Sequence, residues 1–261
     1  MSVWPAAGYA PARMAEDGVT HPLFRLHQDL PREAPGSAAE TRAALALVRP
    51  RLPSRPRVAD LACGTGPASR ILAEELGVPV VALDLHAPFL ARLRRETAAL
   101  PIRAVRGDLA RLPFAEGSLD LIWCEGAAYV LGLEAALAAW RPLLAPGGVI
   151  ALTECCWLVP DPPAGAAAFW GAAYPGMRTL DACRELTRST GLELLAARPL
   201  PAPAWEEYYG PLRRRVASLE PEAREDPPLA AVLAETREEL SAWERWGGSY
   251  GYAWLLLRAP D

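Results

Sequence analysis

The run from Val58 to Leu72, VADLACGTGPASRIL, reads as a strand, a glycine turn and the start of a helix. Gly64 and Gly66 allow a tight turn. The helix behind them aims its free N–H groups and the positive end of its dipole at a ligand in front. Such a turn suits a nucleoside. Asp84 stands 20 positions after Gly64, at the end of the apolar run VPVVALD, where a carboxylate can accept hydrogen bonds from ribose hydroxyls. The turn leaves two nucleosides open. A dinucleotide fingerprint calls for a third glycine, and Ser69 stands in its place. Asp60, on the strand before the turn, would repel a pyrophosphate, whereas the amino group and sulfonium of S-adenosylmethionine are cationic. Asp108, after Gly107, can accept from an adenine amino group. Glu125 and Gly126 end a further strand, with Tyr129 shortly after them.

Other reactive residues point to no second chemistry. His21, His27 and His86 lack ligand spacing, so no metal site is expected. His86 reads as a turn residue near the ribose side. Cys63, Cys124, Cys155, Cys156 and Cys183 are odd in number and form no CxxC pair; buried, reduced thiols are expected. Glu154 lies in a strand and reads as a structural acceptor. Arg213, Arg214 and Arg215 sit in a segment richer in acids than in arginines, and read as a salt-bridged helix face.

These residues must be carried by a regular framework. Ser37 to Glu40 forms a capping box, and the helix it opens ends at Pro50. From Val58 onward strands alternate with helices: RVADLAC, PASRILAEEL, VPVVALD, APFLARLRRETAAL, IRAVRGD, SLDLIWCEG, LEAALAAWRPLL, GVIALTECCWL, TLDACRELTRST and LELLAARPL, then the terminal SYGYAWLLLR. Alternation of this kind predicts a doubly wound parallel α/β sheet. Residues 1–36 read as an irregular segment and residues 37–261 as the main domain. Val159 to Met177 reads as a Pro/Gly-rich loop with aromatics. Pro201 to Gly248 is too long for a plain loop. Its stripe Leu229, Val232, Leu233, Thr236, Leu240 and Trp243 predicts a helical lid or substrate insertion. Trp157, Phe169, Trp170, Tyr174, Trp205, Tyr208 and Tyr209 can line an apolar pocket or fill the core of that lid.

The arrangement DxxxGxG, then D, then GD resembles the class I S-adenosylmethionine-dependent methyltransferases. GDLARLPFAEGSLDLIWCEGAAYVLG and WRPLLAPGGVIALTE resemble the ubiquinone/menaquinone-type (methyltransferase type 11-like) branch. FWGAAYPGM, AWEEYYGPL and SYGYAWLLLR extend the likeness, to a bacterial small-molecule group, over most of residues 24–258. The resemblance implies a Rossmann-like, seven-stranded sheet with the last strand antiparallel and a helical insertion before it. It implies S-adenosylmethionine as cofactor and a small-molecule methyl acceptor as partner. Ala62, Cys63, Gly64 and Gly66 would pass the methionine part and Asp84 the ribose, with Asp60 and Leu85 in the same cofactor set. Asp108 and Leu109 would take the adenine. Glu125 and Gly126 would border the methyl group, Glu125 holding the cationic end of the cofactor and Tyr129 orienting the acceptor. Ala62 stands where the family usually has glycine, and fits if its backbone is not left-handed. Pro67 removes one N–H at the helix start. A non-catalytic S-adenosylmethionine-binding regulator and a nucleotide-dependent oxidoreductase remain the rival readings.

Composition agrees. The chain has 261 residues, 51% hydrophobic, enough for one large domain with an elaborated lid. A net charge of -4 argues against nucleic acid as a partner. No apolar run is long enough to cross a membrane, and the first residues do not read as a secretion signal, so a cytoplasmic location is expected. All 27 basic residues are arginine, lysine and asparagine are absent and Gln28 is the single glutamine, a bias expected of a GC-rich genome.

Overall fold

The protein is described from a computed structural model covering residues 21–261. The expectations for residues 1–20, an irregular segment with no secretion signal, lie outside the described residues.

Four short strands come first: β1 (Val58–Leu61), β2 (Val80–Asp84), β3 (Ile102–Arg106) and β4 (Leu119–Cys124). All four residues of β1 are buried, as a central parallel strand requires. Then come β5 (Leu144–Trp157), the two-residue β6 (Arg178–Thr179), β7 (Glu193–Pro199) and β8 (Tyr250–Arg258). They hydrogen-bond in the order β3-β2-β1-β4-β5-β8-β7, with β6 attached to β5 off this path. β1 to β5 are parallel, and β8 runs antiparallel to both β5 and β7. The fold is the expected Rossmann-like, mostly parallel sheet, with β6 added. From β1 the chain winds outward to β2 and β3, then crosses back to β4. The carboxyl ends of β1 and β4 therefore flank the switch point, where open α/β sheets bind ligands.

Helices cover both faces. α1 (Pro22–His27) and α2 (Ala38–Val48) come first. α2 opens on the expected cap, the Ser37 hydroxyl accepting from the Glu40 N–H at 3.0 Å. α3 (Pro67–Leu76) begins at Pro67, whose missing N–H costs little at a helix start. α4 (Ala87–Glu96) and α5 (Leu133–Trp140) follow β2 and β4. β5 shows the division of the core. Val149, Ala151 and Cys155 enter one apolar layer, while Ile150, Leu152 and Cys156 enter the other. All five cysteines are free and buried, and the adjacent Cys155 and Cys156 point to opposite faces.

Two segments are more regular than expected. Val159 to Met177 contains α6 (Ala164–Ala173), where a run of alanines supplies helix propensity and Trp170 anchors the helix in the core. Residues 21–36 contain α1, capped by the His21 side chain, with Pro22 in its first turn. After α7 (Leu180–Ser189), the insertion folds as two long helices, α8 (Ala202–Ala223) and α9 (Pro227–Trp246). Trp205 of α8 stacks on Trp243 of α9 at 4.1 Å between centroids, and Tyr209 donates to Glu239 at 2.8 Å. Trp205 and Tyr209 are fully buried, and Trp170 also lies in this core layer. Arg213 meets Glu206 and Glu244, so part of the arginine run lies on a salt-bridged helix face.

Candidate functional site

A cleft opens at the carboxyl ends of β1 to β4. Its lining includes Ala62, Gly64, Asp84, Leu85, Asp108, Leu109, Glu125, Gly126 and Tyr129. Residues far apart in sequence converge here because each follows a parallel strand, and parallel strands end on one side.

The β1 turn is built from backbone. Gly66 N–H donates to the Cys63 carbonyl at 2.8 Å, and Cys63 N–H to the Leu83 carbonyl at 3.0 Å. Gly64 N–H donates to Asp84 Oδ2 at 2.8 Å, and His86 N–H to Asp84 Oδ1 at 2.8 Å. Asp84 thus ties the two strand ends together. Burial pushes its pKa up to about 6, against the pull of those two N–H groups. Ala62 has φ +51°, so its backbone is left-handed. The condition under which alanine fits without strain is not met at this turn.

Three residues of the expected cofactor set, Asp60, Cys63 and Gly66, do not line the cleft. Asp60 lies beneath the turn, fully buried, and accepts a hydrogen bond from the Ser69 hydroxyl. Burial raises its pKa to about 8. The serine that replaces the third glycine is therefore the partner of this aspartate. Cys63 and Gly66 shape the turn rather than its surface. Asp108 closes its own loop, accepting from Ala110 N–H at 2.9 Å.

Glu125 lines the cleft, but its carboxylate is engaged. It accepts from Thr41 Oγ1 at 2.6 Å, Trp123 Nε1 at 2.9 Å and Arg32 Nη2 at 3.0 Å, the last forming a buried ion pair. Gly126, at φ +72°, donates its N–H to Thr153 Oγ1 at 2.7 Å. Tyr129 lines the same cleft and meets Tyr174 edge-to-face at 5.9 Å. Behind it Tyr174 donates to Glu154 at 2.8 Å, so Glu154 is a buried acceptor.

Residues 24–36 form a strap across the cleft, which sequence reasoning missed. Phe24 stacks on His86 at 3.5 Å, with Phe89 edge-on to both. Burial lowers the His86 pKa to about 4, which leaves the ring neutral at neutral pH. Glu33 lies over Gly64, and the neighbouring Ala34 over Gly126. A Cβ built on those glycines would stand 2.9 Å from Glu33 Cγ and 2.4 Å from Ala34 Cβ. The α8–α9 hairpin supplies none of the lining side chains. It holds the strap from outside: Arg25 pairs with Glu222 and Asp226, Arg215 donates to the Arg25 carbonyl, and Gly36 N–H donates to the Ala204 carbonyl. The available signal for the strap was the resemblance itself, which begins at residue 24 rather than at the capping box.

Among the described residues no group of three or more His, Cys, Asp or Glu side chains can hold a metal ion, and no helix is long and apolar enough to cross a membrane. The lining holds four carboxylates, Glu33, Asp84, Asp108 and Glu125, and no arginine among the described residues. That set suits a ligand rich in hydroxyl and amino donors and carrying positive charge, and opposes a pyrophosphate.

Residues 58–148 match the family described as a methyltransferase domain. The chain is 37% identical over 139 residues to a malonyl-[acyl-carrier protein] O-methyltransferase of Enterobacter lignolyticus, covering 52% of this chain and 50% of that protein. It is 37% identical over 114 residues to a demethylmenaquinone methyltransferase of Thermus thermophilus, covering 42% of this chain and 50% of that one. The matches to these two relatives span about half of each. In fold it is similar to a methyltransferase from Thiobacillus denitrificans crystallised with S-adenosyl-L-homocysteine, with a TM-score of 0.78 and 21% identity over 91% of this chain and 98% of that one. A second such complex, from Geobacter sulfurreducens, gives a TM-score of 0.80 at 17% identity, covering 93% and 99% of the two chains.

Proposed function

We propose that this chain, whose residues 58–148 carry a methyltransferase domain, binds S-adenosylmethionine in the cleft and transfers its methyl group to a small-molecule acceptor. The observation that carries this reading is the convergence of Gly64, Asp84, Asp108, Glu125 and Tyr129 on one acid-lined cleft at the switch point. Asp84 would hold the ribose, since both its oxygens keep lone pairs beyond the bonds from Gly64 and His86. Asp108 and Leu109 would hold the adenine, and Ala62 and Gly64 the methionine part.

The cofactor supplies a methyl group on a sulfonium, a good leaving group. The protein is left to align the nucleophile and exclude water. Alignment of this kind is worth roughly 7–11 kcal/mol, and the strap is the water-excluding element. Glu125, already paired with Arg32, fixes the strap to β4 and is not a free base. Tyr129 stands on the acceptor side, where it would orient the acceptor. The acceptor is met by the strap and the elements behind it, and α1 and the α8–α9 hairpin lie outside the matched residues 58–148. The hairpin acts as the backing of the lid.

Thermal shift tests the cofactor assignment. S-adenosylmethionine and its demethylated product should each stabilise the protein by about 2.7 kcal/mol at 100 times the dissociation constant, and NAD should not. A shift with NAD alone overturns the proposal. Methyl-labelled cofactor screened against candidate acceptors then identifies the substrate.

A further inference from the structure

We infer that Glu33 is the residue that pairs with the cationic amino group on the amino-acid arm of the bound nucleoside; this rests on the reading of the cleft as an S-adenosylmethionine site.

Position comes first. Glu33 lies over Gly64 and Ala34 over Gly126, so two consecutive strap residues bridge the ends of β1 and β4. An amino-acid arm that leaves a ribose at Asp84 and runs toward Gly126 passes under Glu33.

The other acids near the path are buried beneath the turn, neutralised, or assigned to the ribose and adenine. Asp60, which sequence spacing offers for this charge, lies under the turn with its proton-donating partner Ser69. Asp84 ties Gly64 to His86. Asp108 accepts within its own loop. Glu125 is neutralised by Arg32 and also accepts from Thr41 and Trp123. Glu33 has one ion-pair partner among the described residues, His27, whose Nδ1 is 2.9 Å from Oε2. Its second oxygen is within 3.5 Å of Thr65 Oγ1.

The carboxylate is also held in place. Both partners of the Glu33–His27 pair are largely buried, and the His27 ring stands 6.1 Å from that of Tyr208 on α8. The negative charge of Glu33 bears on Asp84 and works against its ionisation. An ammonium placed between the two carboxylates relieves that repulsion, so the ligand and the closed strap stabilise one another.

The test compares three ligands by calorimetry on the full chain. S-adenosylmethionine carries sulfonium and ammonium, S-adenosylhomocysteine the ammonium alone, and 5′-methylthioadenosine neither. Glu33→Gln keeps the side-chain shape and removes the charge. It should weaken the first two ligands equally, by about ten- to a hundredfold, and leave the third within about twofold. The unchanged third ligand also reports that the variant is folded. Asp84→Ala should weaken all three. Unchanged affinity of Glu33→Gln for S-adenosylhomocysteine overturns the inference. Loss for S-adenosylmethionine alone overturns it too, since the sulfonium is then what Glu33 meets. An equal loss for all three assigns Glu33 to strap closure instead. A wild-type protein that binds none of the three fails at the earlier step, and the reading of the cleft falls with the inference.

Discussion

At the scale of single residues, the turn after β1 combines a strained position with a buried acid. Ala62 holds φ +51°, a conformation that costs a non-glycine residue roughly 1–2 kcal/mol. Glycine there would recover that strain and lose about 0.4–1 kcal/mol through its freer unfolded chain. Ala62→Gly is therefore expected to stabilise the protein by about 0.5–1 kcal/mol, read as a rise in the denaturation midpoint with unchanged slope. A lowered midpoint would show that the Cβ makes a contact worth more than the strain. The Ser69 that spoils the dinucleotide fingerprint finds its physical reason at this scale. Among the described residues it is the one side-chain donor to Asp60, and under the proposed function no backbone approach to a pyrophosphate is needed.

At the scale of elements, the strap and the α8–α9 hairpin form one unit. Arg25 joins them through exposed or half-exposed ion pairs to Glu222 and Asp226, and such solvent-screened pairs add little to stability. The hairpin itself rests on the buried Trp205 and Tyr209 and the half-buried Trp243. These two kinds of contact separate in experiment. Arg25→Ala should leave the thermal midpoint almost unchanged, because the ion pairs it removes are exposed while Leu26 and Leu30 still anchor the strap in the core, and amide exchange over residues 22–36 should speed up as the segment opens locally. Exchange unchanged across that segment would show that the Arg32–Glu125 ion pair and the Gly36–Ala204 hydrogen bond suffice to hold the strap.

At the scale of the whole molecule, buried carboxyls tie stability to pH. Burial raises the pKa of Asp60 and of Glu154 to about 8. A carboxyl whose folded pKa exceeds its unfolded value binds its proton more tightly when folded. Its contribution is intact below the unfolded value near 4 and is lost as pH rises through the folded value near 8. Each group gives a slope approaching about 1.4 kcal/mol per pH unit in that window. Glu154→Gln should flatten the decline between about pH 5 and pH 7, roughly its steepest part, measured by denaturant titration at each pH. An unaltered slope would place the proton uptake elsewhere. The α/β sheet was legible in the sequence because parallel strands buried on both faces must read as short apolar runs between amphipathic helices, and the Gly64 turn and Asp84 because each is local to one strand end. The strap was not legible. Its fold depends on Arg25, His27, Glu33 and Gly36 meeting partners that, apart from the His27–Glu33 pair, lie far along the chain, and no periodicity records such contacts. The sequence by itself determined which residues end strands at the cleft. Only the tertiary structure decided how each carboxylate there is partnered, since burial and pairing, not spacing, set Asp60 under the turn, gave Glu125 to Arg32 and set Glu33 over Gly64 beside His27.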